Sequence, residues 1–189
     1  MSDEQQEPVV AKAAPEPLPT ELQEAAGDLI TGGSLRGGRP ELLTTPGQLV
    51  ELLTLLRELP DPYSRLTDIC GVDWGERLQV VYALCRGYGA EMILVKVDLP
   101  RKSAEIPSVT GLWQLAAWPE MEVAEMFGVT FTGHPSPGHL LLPEDFTGYP
   151  MLKDYEYDRT NPLMSPDPLR DDPDAVLGTP APEDETVEP

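Results

Sequence analysis

The chain has 189 residues, of which 33 are acidic and 13 are Lys or Arg, so its formal net charge at pH 7 is -20. Proteins that bind nucleic acid or anionic lipid need clustered cationic side chains, so this balance argues against both kinds of partner. Two cysteines, Cys70 and Cys85, are too few for an iron–sulfur cluster, which takes four thiolates, or for an all-cysteine zinc site.

The acidic charge is concentrated at the two ends of the chain. Residues 1–28 carry seven acidic side chains and one lysine, and residues 156–189 carry ten acidic side chains and two arginines. Few side chains there can bury apolar area, which predicts two disordered acidic tails, the second one proline-rich. Between the tails we expect an α+β domain over residues 29–132 and an extended partner-docking segment over residues 133–155.

Targeting and membrane segments are not expected. The first residues are acidic and lack the apolar region of a signal peptide. The apolar runs of the chain are far shorter than the roughly 20 residues that a membrane span requires. We therefore expect no direct membrane span, so that partners would hold the chain at any membrane.

The first predicted elements lie before residue 60. The glycine-rich stretch over residues 32–38 has glycine where a phosphate-binding loop has its Lys, and no Ser/Thr follows, so it is interpreted as a flexible lead-in. Thr45 and Pro46 then form a helix-start signal with Thr45 as the side-chain cap, and leucines follow at spacings of three and four residues. Pro60 ends this pattern, so a helix is expected between the two prolines.

Three strands are predicted next, over residues 66–73, 78–85 and 92–99, which are rich in apolar and β-branched residues. A glycine-containing turn between the last two predicts a hairpin. Apolar residues occupy both alternating positions of the middle strand, so we expect both sheet faces to be covered, with helices packed on the sheet. The pattern predicts an α+β fold: a small mixed sheet with helices packed on it, followed by an extended C-terminal segment.

A second helical region is expected over residues 107–128, with a restart at Pro119. Three glutamates follow that proline: Glu120, Glu122 and Glu125. Carboxylates are favoured near the start of a helix. A carboxylate metal site of this kind normally adds a histidine three residues after a glutamate, and none is present. The pattern therefore favours a solvated or partner-facing helix surface.

An ordered series of motifs runs through the same part of the chain. They are Trp-Pro-Glu-x-Glu, Glu-Met-Phe-Gly, Gly-His-Pro, an apolar strand ending in Pro-Glu-Asp, and Gly-x-Pro-x-x-Lys-Asp-Tyr, at residues 118–122, 125–128, 133–135, 140–145 and 148–155. The series resembles the thirty-kilodalton subunit family of respiratory complex I, whose members are the C-type subunits of proton-pumping NADH:quinone oxidoreductase. Met121 and Leu152 replace arginines of the family pattern, so cationic contacts are missing here.

The resemblance implies a non-catalytic structural subunit of the peripheral arm, which braces the quinone-site and iron–sulfur subunits for electron transfer from NADH to quinone. It implies that this chain binds no cofactor and has no catalytic centre when isolated, while FMN and iron–sulfur clusters belong to other subunits. It also implies a peripheral location on the cytoplasmic side of the cell membrane, within a translocase that transports protons.

The segment over residues 133–155 is dense in Gly and Pro, and it is interpreted as a chain that leaves the domain along a fixed path and lies on a partner. Prolines reduce the entropy lost on docking, and aromatic and charged side chains are common at interfaces. Alternatively, the aromatic residues fold back on their own core. The predicted partner-contact residues are His134, Pro135, Pro143, Glu144, Asp145, Phe146, Tyr149, Lys153, Asp154 and Tyr155.

Two other functions stay open. One is a subunit of a related membrane-bound hydrogenase, whose family shares a similar module. The other is a stand-alone metal-dependent hydrolase with Glu120, Glu122, Glu125 and His134 as its ligands. His134 and His139 lie five residues apart in a loop where only two carboxylates could complete a zinc site, so loop hydrogen bonds are the prediction for both histidines.

Overall fold

A computed structural model describes residues 16–87, 91–143 and 146–156 of the chain. The helices are α1 (Thr20–Ala26), α2 (Leu49–Glu58) and α3 (Ala117–Phe127). The strands are β1 (Gly32–Arg36), β2 (Arg39–Thr44), β3 (Arg65–Asp73), β4 (Arg77–Cys85), β5 (Met92–Pro100), β6 (Glu105–Pro107) and β7 (Thr130–Thr132). These elements form the expected α+β fold. No helix within the described residues is long and apolar enough to cross a bilayer.

Five strands form one mixed sheet in the order β1-β2-β5-β4-β3. β2 and β5 pair in parallel, with Leu42 opposite Val95, and the other neighbours are antiparallel. The three strands expected from the sequence are confirmed as β3, β4 and β5, and the predicted hairpin joins β4 to β5. β6 and β7 form a separate parallel pair, with Ile106 opposite Phe131.

The helices share one face of the sheet. Their buried residues belong to one hydrophobic cluster with alternate residues of the strands, such as Tyr82 and Val95. Val81 and Cys85 point to the opposite face because neighbouring strand residues alternate, and they lie outside this cluster. Within the described residues, the helices expected to pack on the sheet therefore cover only one of its faces. Val81 is buried because it lies on a central strand, flanked by side chains such as that of its register partner Lys96.

The glycine-rich stretch before α2 is a hairpin, so the expected flexible lead-in is wrong. Arg36 and Arg39 are register partners, and Gly37 and Gly38 form the two-residue turn between β1 and β2. Both glycines have positive φ, at +57° and +76°. Two such residues give a turn whose twist matches that of the flanking strands, and glycine adopts this conformation without steric cost.

The expected N-terminal tail also folds over part of its length. Glu16 exchanges two backbone hydrogen bonds with Leu35 at 2.7 and 3.0 Å, and α1 buries Leu22 and Ala26 in the core. The expected disorder over residues 1–28 therefore differs from the structure at residues 16–28, because apolar residues four apart are buried in the hydrophobic core. Residues 1–15 and 157–189 of the two expected tails lie outside the described residues.

The two longer helices begin later than the sequence predicts. A 3-10 turn (Pro46–Gln48) precedes α2, and the Thr45 hydroxyl donates to the Gln48 side chain at 2.8 Å instead of capping a backbone amide. A second 3-10 turn (Gln114–Ala116) precedes α3, since the expected start near residue 107 belongs to β6. Gly128 ends α3 as predicted: it adopts a left-handed φ of +74°, and its N–H donates to the Ala124 carbonyl.

Candidate docking surface

Two of the three glutamates of α3 are buried. Glu120 is completely inaccessible and Glu125 nearly so, whereas Glu122 is exposed. The prediction of a solvated or partner-facing carboxylate surface is therefore correct for Glu122 and wrong for the other two. A carboxylate leaves water only where other groups supply hydrogen bonds. The donors in this protein come from the chain segments that precede and follow α3.

Glu125 fixes the loop that follows β7. Its carboxylate accepts backbone N–H bonds from three successive residues, Leu140, Leu141 and Leu142, at 2.8 to 3.3 Å. His139 also donates to it from Nδ1 at 2.9 Å. Burial alone would raise the pKa of Glu125, but these hydrogen bonds outweigh burial and hold that pKa below its usual value. The loop therefore takes its path from one buried carboxylate.

Asp73, at the end of β3, fixes the chain further along. Its side chain is almost completely buried and accepts N–H bonds from Gly75 at 2.7 Å and from Lys153 at 2.8 Å. Arg101 donates to the same carboxylate and also to Asp154, so it joins the sheet to the C-terminal segment. The hydrogen bond from Arg101 is the largest of the effects that hold the pKa of Asp73 well below its usual range.

We call residues 133–143 and 146–155 the strap, since Glu125 and Asp73 hold them against α3 and β3. Inside the strap, the ring of Phe146 is buried and stacks on Tyr155, with 6.2 Å between ring centroids. Tyr149 covers Gly128, where a Cβ atom would lie 2.6 Å from its ring. Two of the three predicted aromatic contact residues thus pack on each other, and Tyr149 is half-exposed.

The other predicted contact residues divide between the interior and the surface of the strap. Pro135 is exposed, while Pro143 is half-buried and its carbonyl accepts the Phe146 N–H at 3.0 Å. Lys153 and Asp154 are exposed, although each is anchored as described above. Glu144 and Asp145 lie outside the described residues.

His134 makes the loop hydrogen bonds that the sequence predicts. Its Nδ1 accepts the Ser136 N–H at 3.1 Å, so the ring proton lies on Nε2, which donates to the Ala117 carbonyl at 3.0 Å. Both ring nitrogens are therefore occupied in the neutral form of the ring. This bond ties the start of the strap to the start of α3.

Glu120, the other buried glutamate of α3, is held by the segment that precedes the helix. Its Oε1 accepts the Val109 N–H at 2.7 Å, while Oε2 has no hydrogen-bond partner among the described residues. The hydroxyl of Tyr82, which is also completely buried, likewise has none there. Burial raises the pKa of Glu120 and, with the charge of Glu120 as the second cause, that of Tyr82.

Exposed apolar side chains are concentrated on the strap and on the start of α3. Trp118 is 72% exposed and Leu115, one helical turn before it, is 67% exposed. Six of the eight large apolar side chains that are exposed within the described residues lie on the strap, at the start of α3 or in the 3-10 turn directly before it: Leu115, Trp118, Leu140, Leu141, Tyr149 and Met151. The other two are Val50 and Trp74. Apolar surface of this kind marks sites of protein contact.

The structure does not assemble the metal site of the hydrolase alternative. Glu125 binds the strap amides and His134 binds the Ala117 carbonyl, so these two side chains do not point to a common centre. Within residues 16–87, 91–143 and 146–156, no group of three or more His, Cys, Asp or Glu side chains is placed to hold a metal ion.

Sequence reasoning misses the anchors of the strap. The sequence analysis treats Asp73 as an ordinary strand residue. Asp73 is, however, the last residue of β3 and belongs to the alternate positions that face the core, where a carboxylate needs nearby hydrogen-bond donors. Sequence reasoning assigns Glu125 to the surface, because nothing in the local spacing indicates donors fifteen residues later. Trp118 enters only as part of a motif, and its exposure is not predicted.

Known proteins were compared with this chain. The family model described as "Respiratory-chain NADH dehydrogenase, 30 Kd subunit" matches residues 42–161, which include the strap together with Asp73 and Glu125. Among curated proteins, the C-type subunit of NADH-quinone oxidoreductase from Roseiflexus castenholzii is 36% identical over 137 residues, covering 70% of this chain and 79% of the relative. The C/D-type subunit of NADH-quinone oxidoreductase from Pseudomonas fluorescens is 37% identical over 158 residues. That match covers 76% of this chain, which spans about a quarter (26%) of this longer relative.

Two solved structures share the fold. The trypsin-resistant fragment (1-134) of Nqo5 superposes with a TM-score of 0.51 at 26% identity, covering 62% of this chain and 96% of the fragment. A chain of the membrane-bound sulfane sulfur reductase, described as an archaeal respiratory membrane complex, superposes with a TM-score of 0.63 at 22% identity. That match covers 89% of this chain and 96% of the other, and at this identity it shows the fold alone.

Proposed function

This chain belongs to the family of the 30 kDa subunit of respiratory-chain NADH dehydrogenase, and we propose that it acts as the C-type subunit of a proton-pumping NADH:quinone oxidoreductase. In this role it is a structural part of the peripheral arm, and it holds the quinone-site and iron–sulfur subunits in positions that allow electron transfer from NADH to quinone. FMN and the iron–sulfur clusters belong to other subunits of the complex. This chain carries no catalytic centre, and its partners hold it at the cytoplasmic side of the cell membrane.

The observation that carries this proposal is the concentration of exposed apolar side chains on the strap and the start of α3. Interfaces derive most of their binding energy from a few large anchors, with Trp and Tyr prominent among them. Trp118 and Tyr149 fit that description, and Met151 adds an adaptable apolar contact. Because Glu125 and Asp73 already fix the strap, docking needs little further ordering of the chain.

We propose that the quinone-site subunit is the partner that covers this surface. The Pseudomonas fluorescens relative is named as a C/D-type subunit, so in that protein a region similar to this chain is joined to a D-type region in one polypeptide. Such a fusion is compatible with a lasting contact between the two.

The experiment is recovery of the tagged full chain from membranes solubilised in mild detergent. We expect the quinone-site and iron–sulfur subunits to co-purify with it. The double variant Trp118→Glu/Met151→Glu should lower that recovery by about tenfold or more, since charges replace two apolar anchors. Val50→Glu is the matched control, because Val50 is an exposed apolar residue on α2, and it should leave recovery unchanged. Recovery of the wild-type chain alone contradicts the proposal.

A further inference from the structure

A pocket of about 260 Å³ opens at the proposed docking surface, between α3, β7 and the strap. Val129 and Phe131, which are buried, line its inner part. Pro137, Gly138 and Tyr149, which are exposed, line its outer part, so a partner can reach it. Tyr149 is also one of the exposed apolar side chains described above, and the pocket is therefore continuous with the docking surface.

The lining offers apolar contact but no accessible charge. Among the described residues that line the pocket there is no Lys, Arg or Asp. Its one carboxylate, that of Glu120, has no accessible surface and accepts the Val109 N–H. His134 is neutral in this arrangement, since both of its ring nitrogens are engaged with the backbone. A charged occupant would lose its hydration without gaining an ion pair, whereas an apolar occupant leaves water and gains contacts.

The size of the pocket suits a single ring. Pockets for cofactors and other small-molecule ligands generally measure about 300 to 1,000 Å³, so this one is small for them. An apolar cavity of about 150 Å³ already holds a benzene molecule. The pocket therefore has room for one aromatic side chain.

The groups around this space favour an aromatic occupant over an aliphatic one. Phe131 and Tyr149 are aromatic, and rings in contact stabilise each other beyond the effect of buried area alone. The thioether of Met121 adds a favourable sulfur–aromatic contact. Met121 follows Trp118 by three residues on α3, so a partner that covers the exposed indole also reaches the pocket.

We propose that this pocket receives one aromatic side chain of the quinone-site subunit, with its ring between Met121 and Tyr149. The proposal rests on the docking function above and adds one specific contact to it. Interfaces obtain much of their binding energy where a large anchor of one partner fills a pocket of the other, away from water. This chain supplies the pocket for that contact, whereas Trp118 and Met151 are anchors that it supplies itself.

The test uses the isolated full chain with N-acetyl-phenylalaninamide as the probe, and with the corresponding leucine and glycine derivatives for comparison. In ¹H–¹³C methyl spectra we expect saturable shifts of the Met121 and Ala124 signals, because both side chains line the pocket. Ala83, on the other face of the sheet, should not shift.

The three derivatives separate an aromatic site from a generally apolar one. The leucine derivative should bind more weakly than the probe by about threefold or more, and the glycine derivative should give no saturable shift. Equal affinities of the phenylalanine and leucine derivatives overturn the proposal, as does the absence of saturable shifts with the probe.

Two variants assign the binding to this pocket. Ala124→Leu fills it from α3 and should weaken probe binding by about tenfold or more. The matched control is Ala25→Leu, because Ala25 is a half-buried alanine of α1 outside this pocket, and it should bind the probe as wild type does. Met121→Ala is the second variant, in case Ala124→Leu disturbs the fold, and it should weaken binding by about threefold or more. Unchanged binding in either variant that keeps a dispersed spectrum overturns the proposal.

Recovery from solubilised membranes separates this contact from the docking function. Ala124→Leu should lower co-purification of the quinone-site subunit by about threefold or more, and Ala25→Leu should leave it unchanged. If wild type and Ala124→Leu recover that subunit equally, only the pocket contact is refuted. A wild-type chain that binds the probe but is recovered alone refutes only the proposed function.

Discussion

The backbone N–H of Lys153 donates to Oδ2 of Asp73, eighty residues earlier in the chain, at 2.8 Å. This bond, together with those from Gly75 and Arg101, places one carboxylate between the end of β3 and the end of the strap. Another main-chain N–H could replace that of Lys153 in this bond only if the strap moved. The position of the C-terminal segment is therefore set by a residue of the sheet.

Asp73→Asn tests that relationship. The substitution keeps the shape of the side chain but replaces the carboxylate, which accepts hydrogen bonds from Arg101, with an uncharged amide. We therefore expect the free energy of unfolding to fall by about 1.5–3 kcal/mol. Urea denaturation measures this change. Glu76→Gln in the neighbouring turn is the control, because Glu76 is exposed, and it should change the stability by less than about 0.5 kcal/mol. Equal effects of the two substitutions contradict the role assigned to Asp73.

Glu125→Gln should loosen the strap more than it destabilises the sheet. Gln retains one acceptor oxygen where the carboxylate serves four donors, so at least one strap amide loses its partner. We expect faster proteolysis within residues 133–143 and a loss of about 1–3 kcal/mol of stability. Glu122→Gln, on the same helix but exposed, should leave the cleavage rate as in wild type. Indistinguishable digestion of the two variants would contradict the anchoring by Glu125.

The pKa shifts predict how stability depends on pH. The pKa values of Asp73 and Glu125 are lowered on folding, so their contributions are complete above the unfolded pKa of about 4 and are lost as pH falls through the folded pKa. The pKa of Glu120 is raised, so the folded state binds its proton more tightly and stability falls as pH rises through that pKa. Denaturation between pH 3 and pH 8 should show both slopes.

Single variants assign those slopes. Asp73→Asn should reduce the loss of stability that occurs as pH falls below about 5. Glu120→Gln should reduce the loss of stability that occurs as pH rises through the raised pKa of Glu120. An acid limb that is equally steep in wild type and Asp73→Asn contradicts the first assignment. A higher-pH limb unchanged by Glu120→Gln contradicts the second.

Gly128→Ala tests the packing of Tyr149 on the end of α3. Both Gly128 and Gly133 have positive φ, at +74° and +81°, but only Gly128 faces a ring where a Cβ atom would lie; Gly133 faces open space. Alanine in the left-handed region costs about 1–2 kcal/mol at either position. At Gly128 the clash between the new Cβ and the ring of Tyr149 should lower the free energy of unfolding by about 1–3 kcal/mol more. Equal losses of unfolding free energy in Gly128→Ala and Gly133→Ala would contradict this packing, because the ring of Tyr149 would then move aside without cost.

Tyr82→Phe should leave stability unchanged or raise it by up to about 1 kcal/mol. The hydroxyl is completely buried and has no hydrogen-bond partner among the described residues, so its removal sacrifices no bond. Thermal and urea denaturation both measure the change. A loss of more than about 1 kcal/mol would reveal a partner for this hydroxyl, with Glu120 the first residue to examine by the Tyr82→Phe/Glu120→Gln double-mutant cycle.

The elements that sequence reasoning locates correctly are those with local signals. Strand composition predicts β3 to β5, and leucine spacing with a terminating proline predicts the body of α2. The hairpin of β1 and β2 is missed because Gly37 and Gly38 indicate flexibility and a two-residue turn equally well. α1 is missed because its apolar positions are sparse in an acidic segment, where composition predicts disorder.

The candidate surface is predicted in outline through the family resemblance and the density of Gly and Pro in the strap. The roles of its residues are not. The aromatic pair of Phe146 and Tyr155 and the buried carboxylates of Asp73 and Glu125 depend on contacts between distant parts of the chain. No local pattern specifies a hydrogen bond that spans eighty residues, so only the folded structure separates exposed anchors from buried ones.

The position of β5 sets the order in which the protein assembles as it leaves the ribosome. β5 lies between β2 and β4, and its parallel pairing with β2 joins strands about fifty residues apart. Until β5 is made, the β1–β2 hairpin and β4 expose edges with nothing to pair with, and open edges invite association between nascent chains. The sheet therefore cannot be completed until β5, which ends at residue 100, has been synthesised. Slow translation of the residues before that point should favour aggregation of this protein over folding.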